Sequence, residues 1–176
     1  MQDKDALRRY FSALRSGFAE NAPHGALKDV FLASPYFAAE SFFVYISVRS
    51  EAATDRLIAA LLAAGKRVCV PRIEGGRMLS VPFASLEKGA FGIPAPRGGE
   101  DTACDVCVTP LLAVDERGVR LGYGGGYYDA YFARRPQTVR VGYCFEAQRT
   151  RLLPEEAWDK PLHAVVTEAG VHRFNA

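Results

Sequence analysis

"SFFVYISVRSEAATDRLIAALLAAGKRVCVPRI", residues 41–73, changes its hydrophobic period twice. It opens on a short, largely apolar, β-branched and aromatic run at 41–48, the look of a buried strand. Leu57, Ile58, Leu61 and Leu62 then recur at the spacing of one helical face, and Gly65 stands where such a helix would stop. "RVCVPRI" returns to strand character. Strand, helix and strand in that order form a crossover unit, which places its two strands parallel and side by side.

The flanks extend this pattern. Residues 3–19 read as a helix with Leu7, Tyr10, Phe11, Leu14 and Phe18 on one face and Lys4, Arg8 and Arg15 on a basic stripe. "ALKDVFLAS", 26–34, predicts a second helix after the breaker "NAPHG". Downstream, "EGGRMLSVPF" has the paired glycines of a hairpin. "GAFGIPAPRGGE", 89–100, reads as a loop without regular structure. "CDVCVTPLLAV" is a strand, "DERG" a turn, and "YYDAYFARR" a short helix cut off by Pro136. "TVRVGYCF" and "HAVVTEAGV" each supply one further strand. The expected fold class is α/β, a three-layer α/β/α arrangement around a largely parallel sheet, with 1–176 forming a single domain.

Composition supports one core. A chain of 176 residues can bury about 70% of its unfolded surface. A formal charge of +2 gives no concentrated basic field for nucleic acid, so an anionic ligand must be met by local groups. No segment approaches the ~20 apolar residues of a membrane span, and the charged amino terminus has no secretory signal core, so a cytoplasmic protein is expected. Cys69, Cys104, Cys107 and Cys144 are expected as reduced, core-filling thiols. The pair Cys104 and Cys107 has no partner pair at zinc-finger spacing, and on one strand its side chains would face opposite ways. A monomer is expected.

The chemistry concentrates in "RLGYGGGYYD", 120–129. It lacks the Lys and Ser/Thr of a Walker loop, and the third glycine of the dinucleotide fingerprint falls where Tyr127 stands. The physical logic of phosphate binding remains. Glycines expose backbone N–H groups, and the helix starting near Tyr127 adds partial positive charge. Arg120 can fork two phosphate oxygens, Asp129 can offer a carboxylate oxygen to magnesium, and Tyr127 and Tyr128 present flat surfaces to an aromatic ligand. The plainer alternative is a tight turn with a dipole-matching acid and two core-edge tyrosines.

The ten-residue string resembles the signature of the 5-formyltetrahydrofolate cyclo-ligase family, Arg-Leu-Gly-x-Gly-x-Gly-Tyr-Tyr-Asp, at every defined position. Lys4 and Arg8 are similar to the family's Lys-x-x-Leu-Arg; Tyr45, Glu51 and Thr54 to its strand and Glu-x-x-Thr; "GKRVCVPRI" and "LPEEAWDKPLHAVVTEAG" to its later segments. The resemblance implies an ATP- and Mg2+-dependent conversion of 5-formyltetrahydrofolate into 5,10-methenyltetrahydrofolate through a phosphorylated formyl group, an iminophosphate, with small-molecule substrates alone as partners.

Position by position, it implies that Lys4, Arg8 and Arg120 meet the triphosphate, with Leu121, Gly122, Tyr123, Gly124, Gly125, Gly126 and Tyr128 around it. Arg120 and Tyr127 would act at the reacting groups. Tyr45, Glu51, Tyr127 and Tyr128 would hold the pterin, and Asp129 and Asp159 the metal. Some relatives have Lys where Gly125 stands, Glu where Ala95 stands and Phe where Val114 stands, so Arg120 and Lys4 carry more of the phosphate charge here. The competing expectations are a non-catalytic folate or nucleotide binder on the same scaffold and a sugar-phosphate isomerase or transferase of similar layout.

Overall fold

A computed structural model describes residues 3–175. Chain order runs α1 (Lys4–Phe18), α2 (His24–Ala33), β1 (Ser41–Val44), α3 (Asp55–Ala63), β2 (Arg67–Glu74), β3 (Arg77–Pro82), β4 (Leu86–Glu87), β5 (Ala95–Pro96), β6 (Val106–Thr109), β7 (Ala113–Val114), β8 (Arg120–Leu121), α4 (Tyr127–Arg134), β9 (Val139–Tyr143), β10 (Ala164–Thr167) and β11 (Gly170–Arg173). The main sheet has seven strands in the order β11-β10-β9-β6-β1-β2-β3. Its inner five strands are parallel, and β3 and β11 close the two edges antiparallel.

The layers follow from strand alternation. Phe42, Val44, Val68, Val70, Val106 and Val108 face α2 and α3, where Leu27, Phe31, Leu57, Ile58 and Leu61 complete the larger core. Phe43, Cys69 and Cys107, from the alternate positions, pack under Tyr131 and Phe132 of α4. Thus helices cover both faces, as the strand composition predicts. α1 buries Phe11 on Leu112, Ala113, Val119 and Leu121, which brings its basic stripe beside the β7–β8 ribbon.

Several local expectations change. β1 ends at Val44 because Thr54 captures the next turn of chain: its Oγ1 donates to Tyr45 O at 2.7 Å and accepts from Ser47 N at 3.2 Å. That draws 45–48 off the sheet and toward α3. Leu62 is 41% exposed and leaves the helical face to Leu57, Ile58 and Leu61. Gly75 and Gly76, with φ of 57° and 75°, form the expected hairpin turn between β2 and β3. The stretch 89–100 is not wholly irregular, since β5 pairs antiparallel with β4. Likewise 163–171 is no single strand: the chain turns after Thr167, whose Oγ1 accepts from Ala169 N at 3.1 Å, and returns as β11.

All four cysteines are free and buried. Cys104 precedes β6 rather than lying in it, so it and Cys107 enter the same cluster instead of opposite faces. Among the described residues no helix is long and apolar enough to cross a membrane.

Candidate active site

The chain leaves β1 for β2 on one side of the sheet and reaches β6 on the other, so the carboxyl ends of β1 and β6 flank a switch point. Open α/β sheets bind ligands in that crevice. Here it is a cavity of about 450 Å³. Tyr45 and Ile46 follow β1 into it, Pro110 follows β6, the glycine loop joins β8 to α4 along one wall, and Lys4, Arg8 and Arg15 enter from α1. Every residue singled out for substrate or metal in the sequence lines this one cavity.

The glycine-loop wall is built around arginines. Arg120 is only 7% exposed, with its Cζ 5.5 Å above the centroid of the Tyr128 ring. Its Nη1 and Nη2 reach Pro110 O and Asp129 Oδ2 at 3.5 Å each, the long limit for hydrogen bonds, and its Nε has no partner. A buried guanidinium so poorly matched by its own protein fits an anionic ligand. Arg8 Nε donates to Gly122 O at 3.0 Å. The glycines make room for these heads: a Cβ at Gly122 would lie 2.8 Å from Arg120 Nη1, and one at Gly124 3.3 Å from Arg8 Cζ. Gly124 and Gly126 also have φ of 98° and 71°, the left-handed region, with Gly126 capping α4.

The two neighbouring tyrosines diverge. Tyr128 turns inward, stacked on Phe43 at 6.2 Å, and burial pushes its hydroxyl well above the ordinary tyrosine value. Tyr127 stays at the mouth, 5.9 Å from the ring of Phe91.

The opposite wall is closed by its own hydrogen bonds. Glu51 Oε2 accepts from Val48 N at 2.8 Å and Oε1 from the Tyr123 hydroxyl at 2.8 Å. Tyr45 is buried; its hydroxyl donates to Ala52 O at 2.6 Å, and burial, then the charge of Glu51, raises it well above the usual range. Thus Tyr45 lines the cavity without a free hydroxyl to offer.

Both acids expected to hold a metal line the cavity. Asp129 Oδ1 accepts from Lys160 N at 3.0 Å, and Asp159 Oδ2 accepts from Lys4 Nζ at 3.0 Å and Glu156 N at 2.9 Å. Partial burial alone would lower the Lys4 ammonium, but the hydrogen bonds it donates to Glu156 and Asp159, with the charge of those carboxylates, outweigh it and raise the group. Among the described residues no group of three or more His, Cys, Asp or Glu side chains is arranged to hold a metal alone. Two carboxylates beside an anion cradle suit magnesium, which takes one or two protein oxygens and fills its shell with phosphate and water.

Sequence reasoning missed Arg15, Phe91, Glu156 and Trp158, which also line the cavity. Phe91 and Trp158 are 67% and 64% exposed, and Phe91 has a φ of 56°, unusual for a residue with a side chain. Only Arg15 carried a signal, its place on the basic stripe of α1.

The model of the 5-formyltetrahydrofolate cyclo-ligase family matches residues 1–168. The chain belongs to that family. A 5-formyltetrahydrofolate cyclo-ligase from Escherichia coli K12 is 37% identical over 150 residues, covering 78% of this chain and 82% of the relative. One from Haemophilus influenzae is 29% identical over 141 residues, with 73% and 75% covered. The structure of Aquifex aeolicus 5,10-methenyltetrahydrofolate synthetase superposes with a TM-score of 0.86 at 29% identity, over 98% of this chain and 93% of that one. A Mycoplasma pneumoniae 5,10-methenyltetrahydrofolate synthetase, 18% identical, shares the fold with a TM-score of 0.76. The cavity is therefore that of an enzyme, a cyclo-ligase by family.

Proposed function

We propose that the chain cyclises 5-formyltetrahydrofolate to 5,10-methenyltetrahydrofolate at the expense of ATP, with Mg2+, in the cavity between the glycine loop and the Glu51 wall. The observation that carries this reading is Arg120: a nearly buried guanidinium with an orphaned Nε, set against backbone that only glycine leaves open. Such a group has use for several anionic oxygens at once, and a triphosphate supplies them.

The formyl oxygen is a poor leaving group, so it is converted to a phosphate ester. The γ-phosphoryl group passes from ATP to that oxygen and ADP departs, leaving an iminophosphate. N10 attacks the formyl carbon, the carbon–oxygen bond breaks with phosphate leaving, and the N10 proton is released. Arg120 stabilises the charge on the transferring group, while Lys4, Arg8 and the N–H groups of 121–126 hold the remaining phosphates. Glu51, fixed by its two hydrogen bonds, accepts from the donor edge of the pterin. Tyr127 closes over the reacting atoms and keeps water out. Mg2+, held by Asp129 and Asp159, would neutralise phosphate charge.

The test is direct. Purified protein with 5-formyltetrahydrofolate and MgATP should develop the near-ultraviolet absorbance of the methenyl product, and omission of ATP or magnesium should abolish it. Binding of both substrates without product would instead support a non-catalytic binder. Product formation independent of ATP would overturn the phosphoryl-transfer mechanism.

A further inference from the structure

Arg15 sits on the last turn of α1 with only 4% of its surface exposed. A buried cation of this kind ordinarily faces a carboxylate, because desolvation is costly without a counter-charge. Arg15 instead donates from Nε to Ser50 Oγ at 3.0 Å and from Nη1 to Leu111 O at 3.2 Å and the Tyr123 hydroxyl at 2.8 Å. The Tyr123 hydroxyl then donates its one proton to Glu51 Oε1 at 2.8 Å. The tyrosine relays the positive charge to the carboxylate, and each bond of such a chain polarises the next. Desolvation, with the charge of Glu51, pushes the Tyr123 hydroxyl up despite Arg15, so it stays protonated and able to donate.

Two elements therefore converge on Glu51. Tyr123 belongs to the glycine loop, yet its hydroxyl serves the opposite wall. We propose that Arg15 is a positioning residue for the folate: acting through Tyr123, it fixes the Glu51 carboxylate in the orientation that receives the pterin. The inference rests on the cyclo-ligase reading and adds to it a buried cation whose hydrogen bonds all go to Ser50, Leu111 and Tyr123. Its consequence is selective, since Arg15 reaches the glycine loop only at the Tyr123 hydroxyl, which faces Glu51, and bonds none of the loop's backbone N–H groups. Losing it should weaken folate capture while leaving nucleotide capture nearly as it was.

Steady-state kinetics on Arg15→Gln, Arg15→Lys, Tyr123→Phe and the double variant Arg15→Gln/Tyr123→Phe test this. Arg15→Gln should raise KM for 5-formyltetrahydrofolate about tenfold, the scale of one hydrogen bond to a charged group, with KM for ATP and kcat changed less than about threefold. Arg15→Lys should recover part of the loss. The double variant should be no worse than Arg15→Gln alone, because both changes cut one chain. An unchanged folate KM, an equal rise in both KM values, or additive losses would overturn the proposal. Should Arg15→Gln fail to fold, Tyr123→Phe, which removes only the relaying hydroxyl and keeps the loop backbone and the Ser50 and Leu111 bonds of Arg15, must raise folate KM by a clearly larger factor than ATP KM; equal rises would overturn the proposal. Folate Kd by calorimetry reads the same contrast without turnover, so a wild-type protein that binds but does not react would sink the cyclo-ligase reading and still decide this one.

Discussion

The two walls of the cavity are built on opposite terms. Around Glu51 the protein meets its own polar groups: carboxylate, tyrosine hydroxyls and turn amides pair at 2.6–2.8 Å. On the glycine-loop wall Arg8 still bonds Gly122 O at 3.0 Å, but Arg120 is left with two contacts at 3.5 Å and an unpartnered Nε. A paired wall is rigid and ready for a neutral, shape-defined ring. An underpaired one is completed by its ligand, so its residues should matter greatly to turnover and little to folding.

The sharpest way to break this contrast is Arg120→Ala. Turnover should fall at least about 100-fold, the scale of losing one transition-state donor, while the denaturation midpoint moves little. A variant that unfolds but keeps its specific activity would invert the two walls. Next in size, Asp129→Asn should raise the magnesium concentration needed for half-maximal rate by at least about tenfold, as changes in a metal's ligand shells commonly do; an unchanged metal titration would remove Asp129 from that role. The Glu51 wall should answer in the other currency. Tyr45→Phe strands the buried Ala52 carbonyl and should cost about 1–2 kcal/mol in urea denaturation, with folate KM nearly unaltered.

The smallest effect is one of pH. Because the Lys4 ammonium is raised above 10.5 in the folded chain, its pairing with Glu156 and Asp159 contributes fully below that pH and fades as pH climbs through the raised value. Lys4→Met should therefore melt slightly below the wild type at neutral pH, and the gap should close in alkali. A gap that widens would reverse the sign.

The same contrast explains what the sequence made legible. Period and punctuation are local, so the β1-α3-β2 crossover, the Gly75–Gly76 hairpin and the helix after Gly126 could be read directly. The glycine loop was legible for the same reason, its composition being a backbone requirement. Long-range pairings were not. Nothing near Thr54 announces that its hydroxyl will pull 45–48 off the sheet, and nothing in 163–171 separates one strand from the hairpin that forms. Arg15 is the clearest case. It shares a stripe with Lys4 and Arg8, yet whether such a charge is solvated or interred depends on Leu111, Ser50 and Tyr123, which arrive from distant parts of the chain. Phe91 and Trp158 reach the cavity only through loops, where no periodicity marks them.

Trp158 has a use of its own. It is the sole indole in 176 residues, it stands at the rim beside Asp159, and most of its surface meets water. The protein thus carries a built-in optical probe at the doorway, and its emission can follow ligand entry in real time with no dye attached.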